Sequence, residues 1–204
     1  MPNERDEQLG RIEVAPDIDA FFEEVVHEAI VARRVPATNA AEHYLALMLS
    51  DYARGEGGAQ LDRPVTFLLR DALALKGAER FEQLRKIGDA VLYALGFFGP
   101  AMTRRGTDRE YVIAVGSSAY GHASAMLELG GADSAHNVLQ ELARKYDRFA
   151  DVLALVADNS LATGRDDASV LRLYERWLHT GSDRLAEALG AAGLWPLKRS
   201  GGLN

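Results

Sequence analysis

The sequence predicts an all-α protein, a single-domain bundle of about seven or eight helices with no β-sheet. Three observations carry this. Apolar residues recur at helical spacing in nearly every segment. Capping residues and Gly or Pro stops bracket those segments. No segment sustains the period-two alternation of a half-buried strand.

The elements follow in order. Residues 1–16 read as a flexible N-terminal tail ending at Pro16, residues 17–195 as one helical domain, and residues 196–204 as a C-terminal tail. Asp17 or Asp19 caps a first helix to about Arg34, with Ile18, Phe21, Phe22, Val25, Ala29 and Ala32 on one face. Beyond Pro36, Thr38 or Asn39 caps a second helix through Tyr52, and Glu42 is spaced for a capping box on Asn39. Tyr44, Leu45, Met48, Leu49 and Tyr52 are its apolar set. A glycine-rich loop over residues 54–61 leads to a third helix, which opens near Pro64, where a missing N–H costs nothing, and stops at Gly77.

A fourth helix spans about 78–95, with Phe81, Leu84, Gly88, Leu92 and Leu95 facing the core; Gly99-Pro100 in residues 96–102 then marks a break. Thr107-Asp108-Arg109-Glu110 has the capping-box pattern and opens a fifth helix to about Leu129. Asp133 caps a sixth, whose stripe from Val138 to Val156 runs on as one long helix or two nearly collinear ones kinked near Asp147. Asp166 or Asp167 opens another through Leu178, and Ser182 caps a short last helix to about Ala192.

Composition bounds the chemistry. A chain of 204 residues buries about 70% of its unfolded surface, enough to fold without staples. The absence of cysteine excludes disulfides, thiolate catalysis and zinc-finger ligation by this chain. A formal charge of −7 argues against nonspecific nucleic-acid binding and against anionic membrane surfaces. The polar, acidic start lacks the basic and apolar regions of a secretory signal, and with no cysteine the expected location is cytoplasmic. No membrane span is expected. The longest stretch free of Asp, Glu, Lys and Arg, Tyr111–Leu127, is interrupted by serines, glycines and His122.

Each candidate site also has a structural reading. Glu24-Val25-Val26-His27 has the Glu-x-x-His spacing of di-iron bundles. Its helical projection points away from the apolar face, so a solvated surface is expected, with no metal and no cofactor. Asp133 and His136, a possible partner pair, suit a cap better. Ser117 and Ser118 lie mid-helix near His122, where their hydroxyls bond carbonyls of their own helix. Residues 55–58 lack the Lys-Ser/Thr of a phosphate loop.

Two features remain. On the fourth helix, Arg85, Asp89 and Tyr93 form a flank stripe beside the core. It reads as a half-buried ion pair orienting two helices, or as a clamp for a carboxylate or phosphate. On the fifth helix, Val112, Val115, Ala119, Ala123 and Met126 face one way, while Ala114, Ser117, Ser118, Gly121 and Ala125 form a small-residue stripe opposite. An uncharged helix with two such faces is expected to be buried on both sides, as the centre of the fold or at a subunit contact. Gly88, Gly96, Gly116 and Gly121 each cost about 1 kcal/mol against Ala in a helix, so close packing or a ligand must offset them.

Leu84-Arg85-Lys86-Ile87-Gly88-Asp89, then Leu92-Tyr93 and Gly96-Phe97-Phe98, then Tyr111 and Gly116 through Ala119-Tyr120-Gly121, together with Glu42-His43-Tyr44-Leu45, resemble a group of uncharacterised bacterial all-α proteins of similar length. The resemblance spans residues 20–125 and implies no activity, cofactor or site residue.

Two functions are expected from this. The first is a non-catalytic helical interaction module that self-associates or binds a protein partner, through Ala114, Ser117, Ser118, Gly121 and Ala125. The second is an enzyme or sensor with an inter-helix small-molecule pocket where Arg85, Asp89, Tyr93, Tyr111, Tyr120 and His122 converge. A DNA-binding regulator is a distant third, because the N-terminal helices are acidic.

Overall fold

The computed structural model describes residues 18–57, 61, 63–104, 106–129, 133–163, 174, 177 and 183–191. Among these, eight helices and no strand occur, as the helical periodicity requires. They are α1 (Ile18–Arg33), α2 (Asn39–Arg54), α3 (Val65–Ala74), α4 (Gly77–Arg104), α5 (Arg109–Leu129), α6 (Asp133–Arg144), α7 (Tyr146–Thr163) and α8 (Asp183–Ala191). No helix among the described residues is long and apolar enough to cross a membrane. Both expected tails, and most of the helix expected over residues 166–178, lie outside the described residues.

The centre of the bundle is α4, which packs against α3, α5 and α7. Every residue from Ile87 to Leu92 is buried, so this stretch is enclosed on all sides. Of the two places the sequence allows for α5, the centre of the fold is not the one it takes, because its face bearing Ala114, Gly121 and Ala125 is exposed. The structure also corrects the break expected at residues 96–102. Helix α4 continues for 28 residues with Pro100 inside it. A proline within a helix costs about 3 kcal/mol. Packing on both sides of Pro100 opposes that cost: Gly96 lies flat against α7, where a Cβ would come within 2.5 Å of Leu153, and Phe97 and Met102 pack on the core.

Helix α1 is rotated from its expected orientation. Val26, Ala29 and Ile30 are buried, whereas Phe21 and Ala32 are exposed. Its apolar residues surround the helix, so periodicity alone does not fix the inner face; packing against α2 and α7 does.

Helix α2 starts at a Thr38 cap, whose hydroxyl accepts from the Ala41 N–H at 3.2 Å. The capping box expected from Glu42 does not form on Asn39. Instead, Glu141 of α6 accepts both the Thr38 N–H (3.1 Å) and the Thr38 hydroxyl (2.6 Å), and Glu42 pairs with His27. The carboxylate that completes the cap comes from 103 residues away. Gly55 ends α2 in the left-handed conformation, with the Glu56 N–H on the Asp51 carbonyl.

The N-cap of α5 is Asp108 rather than Thr107, since the Asp108 carboxylate accepts from the Glu110 N–H and its carbonyl from the Val112 N–H. Helices α6 and α7 are the two-helix form of the expected long element. They are parted at Lys145, and backbone hydrogen bonds continue across it from Lys145 to Glu141 and from Phe149 to Lys145.

Candidate functional site

The polar heart of the bundle is Asp89, only 4% exposed on the enclosed stretch of α4. Its Oδ1 accepts from the hydroxyls of Tyr44 (2.7 Å) and Tyr120 (2.6 Å), and its Oδ2 from Nη1 of Arg85 (2.9 Å). Three helices thereby converge on one carboxylate: α2 through Tyr44, α4 through Arg85, and α5 through Tyr120. The expected pairing of Arg85 with Asp89 at i, i+4 is present.

The electrostatics follow from burial. Loss of solvent pushes the pKa of Asp89 up, against the opposing pull of Tyr120, Tyr44 and Arg85. Burial, then the Asp89 charge, raises the phenols of Tyr44 and Tyr120, so both remain protonated donors. Arg85 also forks onto Glu82 through Nη2 (2.8 Å) and Nε (3.4 Å), which holds the Glu82 carboxyl below its usual range. Three of the five guanidinium N–H groups are thus committed inside the protein. That spends the bidentate edge which a carboxylate or phosphate clamp needs.

A second layer lies behind Asp89. Tyr146 of α7 is buried and donates from its hydroxyl to the Gly88 carbonyl at 2.6 Å. Gly88 and Gly116 are the notches that admit these rings. A Cβ on Gly88 would fall 2.5 Å from the Tyr120 ring, and one on Gly116 would overlap the Tyr146 phenol. Packing therefore accounts for Gly88, Gly96 and Gly116. Gly121 is different, with nothing within 4 Å of a Cβ placed there.

The six residues expected to line one pocket do not converge. Arg85 and Asp89 border a cleft between α2 and α4. Tyr120 is fully buried behind Asp89. Tyr93 belongs to an aromatic ladder, stacked on Tyr52 at 4.0 Å and on Phe97 at 4.6 Å. Tyr111 lies at the start of α5, where its hydroxyl donates to Thr66 of α3, and His122 is exposed on the outer side of α5. Two residues thirty-one apart on α4 and α5 meet, whereas residues 120 and 122 point apart because 200° of helix separates them.

The small-residue stripe is split. Ser117 is half-buried and donates to the Ala143 carbonyl of α6 at 2.9 Å, rather than to its own helix as expected. Ser118 is half-buried, and Ala114, Gly121 and Ala125 are exposed. Glu24 and His27 are exposed, and no group of three His, Cys, Asp or Glu side chains suited to a metal occurs among the described residues. The side chains of Asp133 and His136 lie outside the described residues.

Sequence reasoning missed Tyr44, Tyr52, Glu82 and Tyr146. By sequence alone the first two read as core and Tyr146 as part of an apolar stripe. The available signal was chemical: a phenol on a core face needs a hydrogen-bond partner, so three such tyrosines imply a buried acceptor. Compared with protein families, curated proteins and solved structures, the chain matches none.

Proposed function

We propose that this protein is a non-catalytic helical interaction module that pairs with a second copy of itself through the outer face of α5. The observation that carries the reading is the spacing and exposure of that face. Tyr111, Ala114, Ser118, Gly121 and Ala125 follow the heptad pattern of a helix–helix seam, and all but Ser118 are exposed. No Asp, Glu, Lys or Arg interrupts Tyr111–Leu127. A solvated helix face ordinarily carries charge.

This strip is where a second copy meets the least electrostatic opposition. Two chains of charge −7 repel one another, and least so across an uncharged strip. A two-fold axis would lay the strip on itself, as isologous contacts require. The open space at Gly121 allows a partner backbone to approach closely. The non-catalytic part of the reading rests on the polar core, where Tyr44 and Tyr120 donate to Asp89 and Arg85 divides its bonds between Asp89 and Glu82.

Sedimentation equilibrium over a wide range of protein concentration tests this. A dimer is expected for the wild type, and a monomer with an unchanged melting profile for Gly121→Glu and Ala125→Glu. A wild type that stays monomeric, or variants that dimerise as before, would overturn it.

A further inference from the structure

Between the start of α2 and the second half of α6 lies a groove of about 480 Å³. Thr38 and Ala40 line one side of it, and Val138, Gln140, Glu141 and Arg144 the other, with Lys145 just beyond α6. Its volume lies within the range of about 300–1,000 Å³ typical of small-molecule sites.

The polar groups of this groove divide into those the fold uses and those it leaves over. Glu141 is used: it accepts from the Thr38 N–H, the Thr38 hydroxyl and Lys145, and Lys145 also donates to the Pro36 carbonyl. Those bonds tie α6 to the start of α2. Arg144 is left over. It is exposed and makes no ion pair or hydrogen bond among the described residues, so its guanidinium keeps all five N–H donors. Gln140, half-buried, has its amide free in the same way. The two stand four residues apart on α6, one turn from each other on a single helix face.

The rest of the surface is apolar. Val138 is half-buried and packs on the core, Ala40 presents a methyl group, and Arg144 and Lys145 contribute their methylene stems. Charge sets the sign of an occupant. Lys145 and Thr38 hold the Glu141 carboxyl below its usual range despite its burial, so it is ionised at neutral pH. Arg144 and Lys145 against Glu141 leave one positive charge in the groove of a chain whose formal charge is −7. One carboxylate balances it. A phosphate dianion would bring a second negative charge beside Glu141, and a cation would meet two like charges.

We propose that this groove binds a small amphipathic monocarboxylate. Its carboxylate takes the bidentate edge of Arg144, with the Gln140 amide as a further donor, and its apolar body covers Val138 and Ala40. An exposed arginine alone asks for no ligand. Here the unpaired fork, the free amide and the apolar surface share one groove of ligand size. The inference is independent of self-association through α5.

Calorimetric titration of the full chain with octanoate, phenylacetate and indole-3-acetate tests it. Each acid is compared with its primary amide, which lacks the charge, with acetate, which lacks the body, and with inorganic phosphate. At least one of the three acids is expected to bind with Kd below about 1 mM, and its amide, acetate and phosphate at least about tenfold more weakly. Arg144→Met keeps an apolar stem and removes the fork. Ala40→Asp puts a negative charge in the groove at an exposed position in the first turn of α2, where a helix favours acidic residues. Each is expected to weaken the acid at least about tenfold without lowering the melting midpoint. Arg148→Met, at an exposed arginine of α7 outside the groove, should leave binding unchanged. No binding by any of the three acids, equal binding of an amide, acetate or phosphate, or unchanged affinity in Arg144→Met or Ala40→Asp would each overturn the proposal. So would an equal loss in Arg148→Met, which would assign the attraction to overall charge.

Discussion

The hydroxyl of Tyr146 reaches across the bundle and donates to the carbonyl of Gly88, fifty-eight residues earlier, at 2.6 Å. It does so through a gap left by Gly116, while Gly88 makes room for Tyr120 in the same way. Two missing side chains on adjacent helices thus let two phenols enter the core and find acceptors.

This gives opposite expectations for glycines that look alike in the sequence. Gly88→Ala places a methyl 2.5 Å from the Tyr120 ring, and overpacking of this kind costs about 1–3 kcal/mol. Gly121→Ala meets no atom within 4 Å, so only its helix propensity acts on the fold, stabilising it by up to about 1 kcal/mol. Urea midpoints of the two variants should move in opposite directions from wild type; a shift in the same direction would contradict the notch.

Asp89→Asn keeps an oxygen for Tyr44 and Tyr120 but turns an amide toward the Nη1 donor of Arg85. Arg85 retains Glu82, so the loss is about 1–3 kcal/mol, the cost of a buried donor left without its acceptor. Asp89→Leu strands all three donors and should cost more. Burial raises the Asp89 pKa above its unfolded value, so the contribution of this group is greatest at low pH and fades as pH rises through the folded value. The gap between wild type and Asp89→Asn in chemical denaturation should therefore widen on acidification. A constant gap would show that the carboxyl titrates alike in both states.

Glu141 should behave in the opposite sense. Burial pushes its pKa up, but Lys145 at 2.8 Å and the hydroxyl and amide of Thr38 outweigh this and hold it below its ordinary 4.5. A depressed folded value means the stabilisation is present above the unfolded pKa and lost as pH falls through the folded one. Glu141→Gln should cost about 1–2 kcal/mol near neutral pH, a charge-assisted contribution reduced for partial exposure. The difference from wild type should shrink on acidification below the ordinary value of 4.5. Denaturant midpoints measured from neutral to acid pH check this, and a penalty that persists in acid would assign the role of Glu141 to packing instead of charge.

Pro100 makes a test of tertiary control over local preference. Gly96→Ala places a methyl against the Cβ of Leu153 on α7, one turn before the proline, and would force the two helices apart there. Besides the overpacking cost of about 1–3 kcal/mol, amide exchange in residues 97–104 should accelerate more than in residues 84–92. Uniform acceleration would mean that the α7 contact does not hold this end of α4.

The sequence by itself determined the helical class, most element boundaries and the Arg85–Asp89 pair, because these depend on periodicity, caps and neighbours within one or two turns. Glu24 and His27 lie outside as expected even though α1 is turned, since both project away from Val26, Ala29 and Ile30 as well as from the expected inner face. Only the tertiary structure decided which helix is central, how α1 is turned, and that α4 runs through Pro100. Those outcomes rest on contacts between residues far apart in the chain, such as Gly96 with Leu153. The same holds for the cap of α2, where Glu141 accepts from Thr38 in place of the capping box of Glu42 on Asn39, and for the convergence of Tyr44 and Tyr120 on Asp89. Each is a choice among acceptors of equal chemistry, and distance across the packed bundle makes it.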